Sequence, residues 1–224
     1  MSEPVEFDVD PAQIPFPCWY DAPDIFPARR SWARLLKMFL RRPSKAYDWR
    51  YYDAPFGTYG GYEYDGRYAE AAARIVKEFN LKPGAEVLET GGAKGFILVE
   101  LQKLGMRVTG IEASWYAVAT AHPEVRRHMH EWRGKSLPFS TNEFDFVLCK
   151  EALPHMDDPK LMIEQIERVG KQSYLVIQVA ETWWQAWLMK MWDPTHVHCK
   201  PTSWWEQLLD EAGYTGAVTF KRLF

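Results

Sequence analysis

From about residue 65 onward, short apolar runs with strand character alternate with amphipathic stretches at helical spacing, joined by brief turns. This alternation constrains the chain more than any other feature. Strands separated by helices pair in parallel, and their sheet is buried on both faces. The pattern predicts a helix capped by Asp65, with Tyr68, Ala72, Ile75, Val76 and Phe79 on its apolar side. Lys82-Pro83-Gly84 is a turn, Ala85 to Thr90 a strand, and a helix follows Gly95 and stops at Gly105. Arg107 to Glu112 is the second strand, and Ser114 caps the next helix. Phe144 to Cys149 is a buried strand. Asp158-Pro159 opens a helix that runs to Val169, ahead of Gly170. Tyr174 to Val179 is a strand, Thr202 starts a last helix ending at Gly213, and Ala217 to Phe224 is the final strand. Residues 1–64 are irregular and rich in Pro and aromatic side chains, so they are expected to form an N-terminal extension or lid. Residues 65–224 form the ligand-binding α/β domain.

The segment Glu89-Thr90-Gly91-Gly92-Ala93-Lys94-Gly95-Phe96 leaves the first strand and enters a helix. Ligands of open α/β sheets bind at that end of the strands, where small residues allow close backbone approach. Glu112 closes the next strand, 23 residues after Glu89, where a carboxylate accepts ribose hydroxyls. A dinucleotide fingerprint counted from Gly91 fails at Ala93 and Phe96. A phosphate loop counted back from Gly134-Lys135-Ser136 meets Met129 where glycine is required. A tight strand–helix turn without a ligand is the alternative to all of these.

Glu89, Gly91, Ala93 and Gly95 resemble acid-x-G-x-G-x-G, the first motif of class I S-adenosylmethionine (SAM)-dependent methyltransferases, with alanine at the middle glycine. Leu137 to Asp145, Leu153 to Pro159, and Asp193 to His198 followed by Glu211-Ala212-Gly213-Tyr214 resemble further segments of that family, in the same order. The resemblance spans residues 85–215. It implies a Rossmann-like three-layer sandwich around a mostly parallel sheet, with SAM as cofactor and S-adenosylhomocysteine (SAH) as product. Tyr59 to Tyr68, Glu167 to Lys171, and Trp204-Trp205 with Ala212 to Gly216 resemble a narrower bacterial group associated with surface-sugar or natural-product pathways. Chains of that group end soon after the Ala-Gly-Tyr-Thr-Gly segment, so six strands are expected, without the usual seventh.

Within this resemblance, the cofactor contacts fall on Glu89, Thr90, Gly91, Gly92, Ala93 and Gly95. Glu112, Ala113, Ser136, Leu137, Lys150, Tyr59 and Tyr64 complete them. An acid that reads the adenine amine is expected after the third strand. Trp132-Arg133-Gly134-Lys135-Ser136 stands there instead, which leaves Ser136 or backbone groups to read the adenine edge. Methyl transfer depends first on alignment, and a general base helps a hydroxyl acceptor. The candidate bases are His198, His196 and His155. Asp193, His196, His198 and Cys199 raise a metal site, but a third ligand at regular spacing is missing and no metal is expected. Trp183, Trp184 and Trp187, with Glu151, are the candidate acceptor-binding residues. Their aromatic faces suit a ring or a sulfonium, and core or interface packing is the alternative.

Net charge is −3, so no basic field draws nucleic acid. No run approaches 18 apolar residues, and Met1 to Asp10 is acidic, without the apolar stretch of a secretory leader. The three cysteines are widely spaced and odd in number, which fits a reducing, cytoplasmic setting. Residues 29–45 hold seven basic side chains around a face of Trp32, Leu35, Leu36, Phe39 and Leu40. A helix docked on the domain is preferred there over a membrane contact. The sequence reading is therefore an O- or N-methyltransferase for a small molecule. A non-catalytic scaffold of the same fold and a membrane-associated enzyme for a lipid-linked sugar are the alternatives. An open sheet edge leaves room for a homo-oligomer.

Overall fold

The computed structural model describes residues 20–21, 47–55, 57–59 and 61–222. The basic stretch 29–45, Cys18 and the end of the expected last strand lie outside them. Six strands carry the domain: β2 (Glu86–Thr90), β3 (Arg107–Glu112), β4 (Met129–Glu131), β5 (Phe146–Lys150), β6 (Ser173–Val179) and β7 (Ala217–Arg222). A two-residue strand from the extension, β1 (Tyr20–Asp21), joins the edge beside β7. All pairings are parallel, in the order β1-β7-β6-β5-β2-β3-β4. Six is the number expected, and five of the six lie close to where the sequence places them. β4 was not foreseen, because three residues are too few to show a period.

The helices are α1 (Trp49–Tyr52), α2 (Ala69–Glu78), α3 (Phe96–Lys103), α4 (Trp115–Ala119), α5 (Pro159–Val169), α6 (Trp183–Trp192) and α7 (Thr202–Glu211). Strand side chains alternate between two buried clusters. Val87, Phe146, Leu148, Tyr174 and Val176 pack with Ile75 of α2 and Leu98 and Leu101 of α3. Leu88, Val147, Cys149, Leu175 and Ile177 pack on the other face with Ile163 and Ile166 of α5 and Trp205 and Leu209 of α7. Each fully buried large side chain contributes roughly 1.5–3 kcal/mol. α2 starts four residues after Asp65, because Gly66 is left-handed (φ +71°) and Asp65 instead accepts the Arg67 N–H. Helix α6 was also missed. Its start is written as Thr182-x-x-Gln185, a reciprocal capping box, but the dense tryptophans obscured the apolar period.

Strand order reverses at β2. The chain runs outward through β3 and β4, then returns on the other side through β5, β6 and β7. Such a switch point opens a crevice at the carboxyl ends of the strands.

Candidate functional site

A cleft of about 1140 Å³ opens at that crevice. Its floor at one end is the loop after β2. Gly91, Ala93 and Gly95 there all have left-handed backbone (φ +71°, +48° and +73°). Gly91 and Gly92 donate their N–H groups to Ile111 O at 2.9 and 3.3 Å, which folds the loop over the end of β3. A Cβ at Gly91 would lie 2.5 Å from Ala152 Cβ, a short side chain that cannot swing away. The Gly91→Ala chain is therefore expected to lose about 2–5 kcal/mol, from left-handed strain plus overpacking, read as a lower urea midpoint.

Glu112 ties two loops together. Its Oε2 accepts the Ala93 N–H and its Oε1 the Ser114 N–H, both at 2.9 Å. Burial raises its pKa, against the pull of the backbone donors. Glu89 is also buried, and its Oε2 has no hydrogen-bond partner. Burial pushes its pKa from 4.5 up to about 8, with Lys150 opposing and Glu112 adding to the rise. Burial works against the Lys150 charge, but the Glu151 carboxylate, 2.8 Å away, with smaller help from Tyr68, more than offsets this, so its pKa rises. Glu151 is left-handed (φ +58°) and lines the cleft, as Ala93 does. Among the described residues, the other two non-glycine residues of this kind are Asn80 and Asn142, which lie outside the cleft. Strain of this sort concentrates at ligand sites.

The described part of the extension from Tyr47 onward forms the roof. Tyr47, Tyr51, Tyr52, Tyr59 and Tyr62 line the cleft together with Tyr68. Asp48 caps α1 and sets Tyr51 and Tyr52 inward, both buried. Ser114, Lys94 and Tyr116 fasten this roof to the loops below. Ser114 Oγ donates to Tyr47 O at 2.6 Å. Asp53 accepts from Lys94 Nζ through Oδ1 and from Tyr116 OH through Oδ2, each at 2.6 Å. Removing Asp53 would leave the buried Lys94 ammonium without its carboxylate. Asp53→Ala is thus expected to cost about 1–3 kcal/mol and to speed proteolytic cleavage within 47–62.

At the other end of the cleft sit His155, Gln178, Trp192, Asp193 and His196. The segment after α6 is stitched to the turn after β5 by Val197 N and His198 N, which both donate to Pro154 O at 2.8 and 2.9 Å. The His155 and His196 rings then stack at 4.2 Å. Asp193 Oδ2 accepts from Tyr51 OH at 2.6 Å, and its Oδ1 accepts from Thr195 Oγ1 at 2.5 Å. The single Thr195 hydroxyl proton is used there, so the 2.9 Å contact between Thr195 Oγ1 and His155 Nδ1 is a donation from the imidazole. This leaves the lone pair of His155 on Nε2. Burial lowers the pKa of both histidines, that of His196 to about 4 with help from His155, so both are neutral at pH 7.

The structure therefore brings Tyr59, Glu89, Thr90, Gly91, Gly92, Ala93, Glu112, Ala113, Lys150, Glu151, His155 and His196 to one cleft. Other expected residues lie elsewhere. Leu137 is core, with its N–H on Gln165. Ser136 does not line the cleft; Trp132, Arg133, Gly134 and Lys135 do. Gly95 faces Val125 and Met129. The Tyr64 hydroxyl donates to Glu100, away from the cleft. His198 stacks on Trp204 instead. Trp183, Trp184 and Trp187 are exposed on α6, and the next turn of that helix offers Trp192 to the cleft. Sequence reasoning missed Tyr47, Tyr51, Tyr52, Gln178 and Thr195. Only the aromatic spacing after Asp48 carried a readable signal.

These residues fit SAM. A buried carboxylate oxygen without a partner lacks a cationic donor, which an amino group supplies. A Cβ at Gly92 would lie 2.9 Å from that oxygen, so glycine keeps the approach open. Glu112 lines the cleft, and its carboxylate, with about four lone-pair sites, keeps acceptor capacity for a ribose hydroxyl beyond its backbone donors. The acid expected for adenine is absent from the lining at Trp132–Lys135.

A family model described as a methyltransferase domain matches residues 62–217. The ubiquinone biosynthesis O-methyltransferase of Coxiella burnetii is 32% identical over 95 residues, 40% of this chain and 40% of that protein. The mitochondrial ubiquinone biosynthesis O-methyltransferase of Schizosaccharomyces pombe is 26% identical over 114 residues, 46% of this chain and 40% of that protein. The chain thus spans about 40% of the length of the curated relatives it matches. Among solved structures, the YcgJ protein from Bacillus subtilis superposes with a TM-score of 0.55 at 22% identity, over 63% of this chain and 66% of that one. The [4+2]-cyclase SpnF superposes with a TM-score of 0.50 at 20% identity, over 67% and 61%. Likeness at this level shows the shared fold, and a cyclase among the neighbours illustrates that the fold alone does not fix the reaction.

Proposed function

Because the chain belongs to the methyltransferase-domain family, we propose that it holds SAM between Glu89 and Glu112 and methylates an oxygen of a small molecule bound beside His155. The carrying observation is the unpartnered, buried Glu89 oxygen at the head of a cleft that continues past Glu151 to two neutral imidazoles. The cleft exceeds the usual 300–1,000 Å³ of a single-ligand pocket, which supports room for cofactor and acceptor together. The names of the matched ubiquinone-biosynthesis relatives favour oxygen over nitrogen. Tyr47, Tyr59 and Trp192 suit the flat face of an aromatic or sugar ring.

When bound, SAM supplies a methyl group activated on its sulfonium. The chain's own residues do the rest. Glu112 orients the ribose and Glu89 the amino end. The tyrosine roof excludes water and presents electron-rich faces to positive charge. His155 Nε2 is free to take the acceptor proton, because Thr195 and Asp193 hold the other ring nitrogen as a donor. No helix among the described residues is long and apolar enough to cross a membrane. Incubation with methyl-labelled SAM and a panel of hydroxylated rings tests the reading. Label on an oxygen of one ring class is expected. Label on none, from a chain that binds SAH, would move the reading to a scaffold.

A further inference from the structure

We propose that His155, Asp193 and His196 form a binding site for a divalent transition-metal ion, with Gln178 as a fourth donor. One ligand atom from each of the three residues lies within 4.8 Å of the others. The 193–199 stretch holds only part of a ligand set in sequence. The fold supplies the missing member from the turn after β5, and the two Pro154 backbone bonds hold it in place.

The surroundings are those of a metal site. Histidine ligands donate their second ring N–H to an oxygen, and carboxylate ligands are hydrogen-bonded in turn. His155 Nδ1 donates to Thr195 Oγ1. His196 Nδ1 lies 3.0 Å from the Asp193 carbonyl oxygen. Asp193 is held by Tyr51 and Thr195. Both imidazoles are thereby fixed with Nε2 bare. His196 Nε2 then faces Gln178 Oε1 at 2.6 Å, two lone pairs with no proton between them. A cation bound to both, at about 2.0–2.2 Å from each, would part them to more than about 3 Å and satisfy the two lone pairs. The competing resolutions are the His196 tautomer whose Nε2–H donates to Gln178 Oε1, and reversal of the Gln178 amide, which would put its NH₂ on the imidazole. Two imidazoles and one carboxylate favour zinc, cobalt, manganese or iron over magnesium or calcium. The ligands line the acceptor end of the cleft, so an ion there would hold and acidify an acceptor oxygen in place of the His155 base, whose Nε2 lone pair it would occupy. That use rests on the proposed methylation; binding of the ion does not.

The test is titration of Co²⁺ into the tag-free chain, followed by visible absorption and then Zn²⁺ competition, with SAH binding measured in parallel. One equivalent of Co²⁺ displaced by Zn²⁺ is expected. Affinity should fall at least about tenfold to 100-fold in His155→Ala and Asp193→Asn and stay unchanged in His198→Ala. Zn²⁺ should also raise the melting temperature of the wild-type chain, a readout that needs no variant. No stoichiometric ion in a chain that binds SAH would overturn the site and leave the methyltransferase reading intact. Undiminished binding in both ligand variants would overturn it too, as would an unmoved melting temperature. Ion binding without SAH binding would keep the site and sink the cofactor reading.

Discussion

Glu112→Ala is expected to weaken SAH binding about 100-fold or more. Glu112 has a structural and a ligand role at once. Its two oxygens accept the N–H groups of Ala93 and Ser114, so it joins the loop after β2 to the loop after β3. Its remaining lone pairs face the cleft. A hydrogen bond to a charged group is worth roughly 1.5–3 kcal/mol, and about 1.4 kcal/mol is tenfold in affinity. Loss of two ribose contacts thus accounts for the expected change, and loosening of the Ala93 turn adds to it. Glu112→Gln keeps the shape but one oxygen fewer, so an intermediate loss is expected. Calorimetric titration of both variants, with circular dichroism as a check on folding, measures this. An affinity within threefold of wild type for Glu112→Ala would remove Glu112 from the site.

The second large effect concerns Glu89. Its folded pKa of about 8 stands above the ordinary 4.5, so the folded chain binds this proton more tightly than the unfolded chain. The stabilisation is complete below pH 4.5 and is lost as pH rises through 8. Between pH 6 and pH 8 this one group is expected to remove about 2–3 kcal/mol from the ligand-free chain. In Glu89→Gln, which stays neutral, that slope should vanish, and the variant should be the more stable chain at pH 8. Ligand binding runs the other way. A cationic amino group pairs with the ionised carboxylate, so SAH affinity should climb with pH up to about 8, by at most tenfold per unit. A flat affinity profile in wild type, or the same slope in Glu89→Gln, would count against this placement. Urea melts across pH 5–9 give the stability arm.

The central sheet was legible because β2, β5 and β6 are buried on both faces and α2, α5 and α7 repeat an apolar period. β3 and α5 fall at their expected residues. The cofactor end was legible because it lies at fixed offsets along two adjacent strands, Glu89 next to last in β2 and Glu112 last in β3. The acceptor end was not, because long-range packing assembles it. His155 and His196 are 41 positions apart, and Tyr51 reaches Asp193 from the far end of the chain. Exposed Trp183 and half-buried Trp192 share one helix, and composition cannot say which turn of it faces a cleft. The same holds for the metal ligands, where Asp193 and His196 sit close in sequence and His155 does not.

The central claim is that the cleft at the ends of β2 and β3 is a SAM site. Calorimetric titration of SAH into the wild-type chain at pH 7 tests it most directly. One site per chain with a dissociation constant on the order of micromolar, and proton release as Glu89 ionises, is the predicted result. A folded chain that gives no binding heat across that range would contradict it, and the fold would then be that of a scaffold.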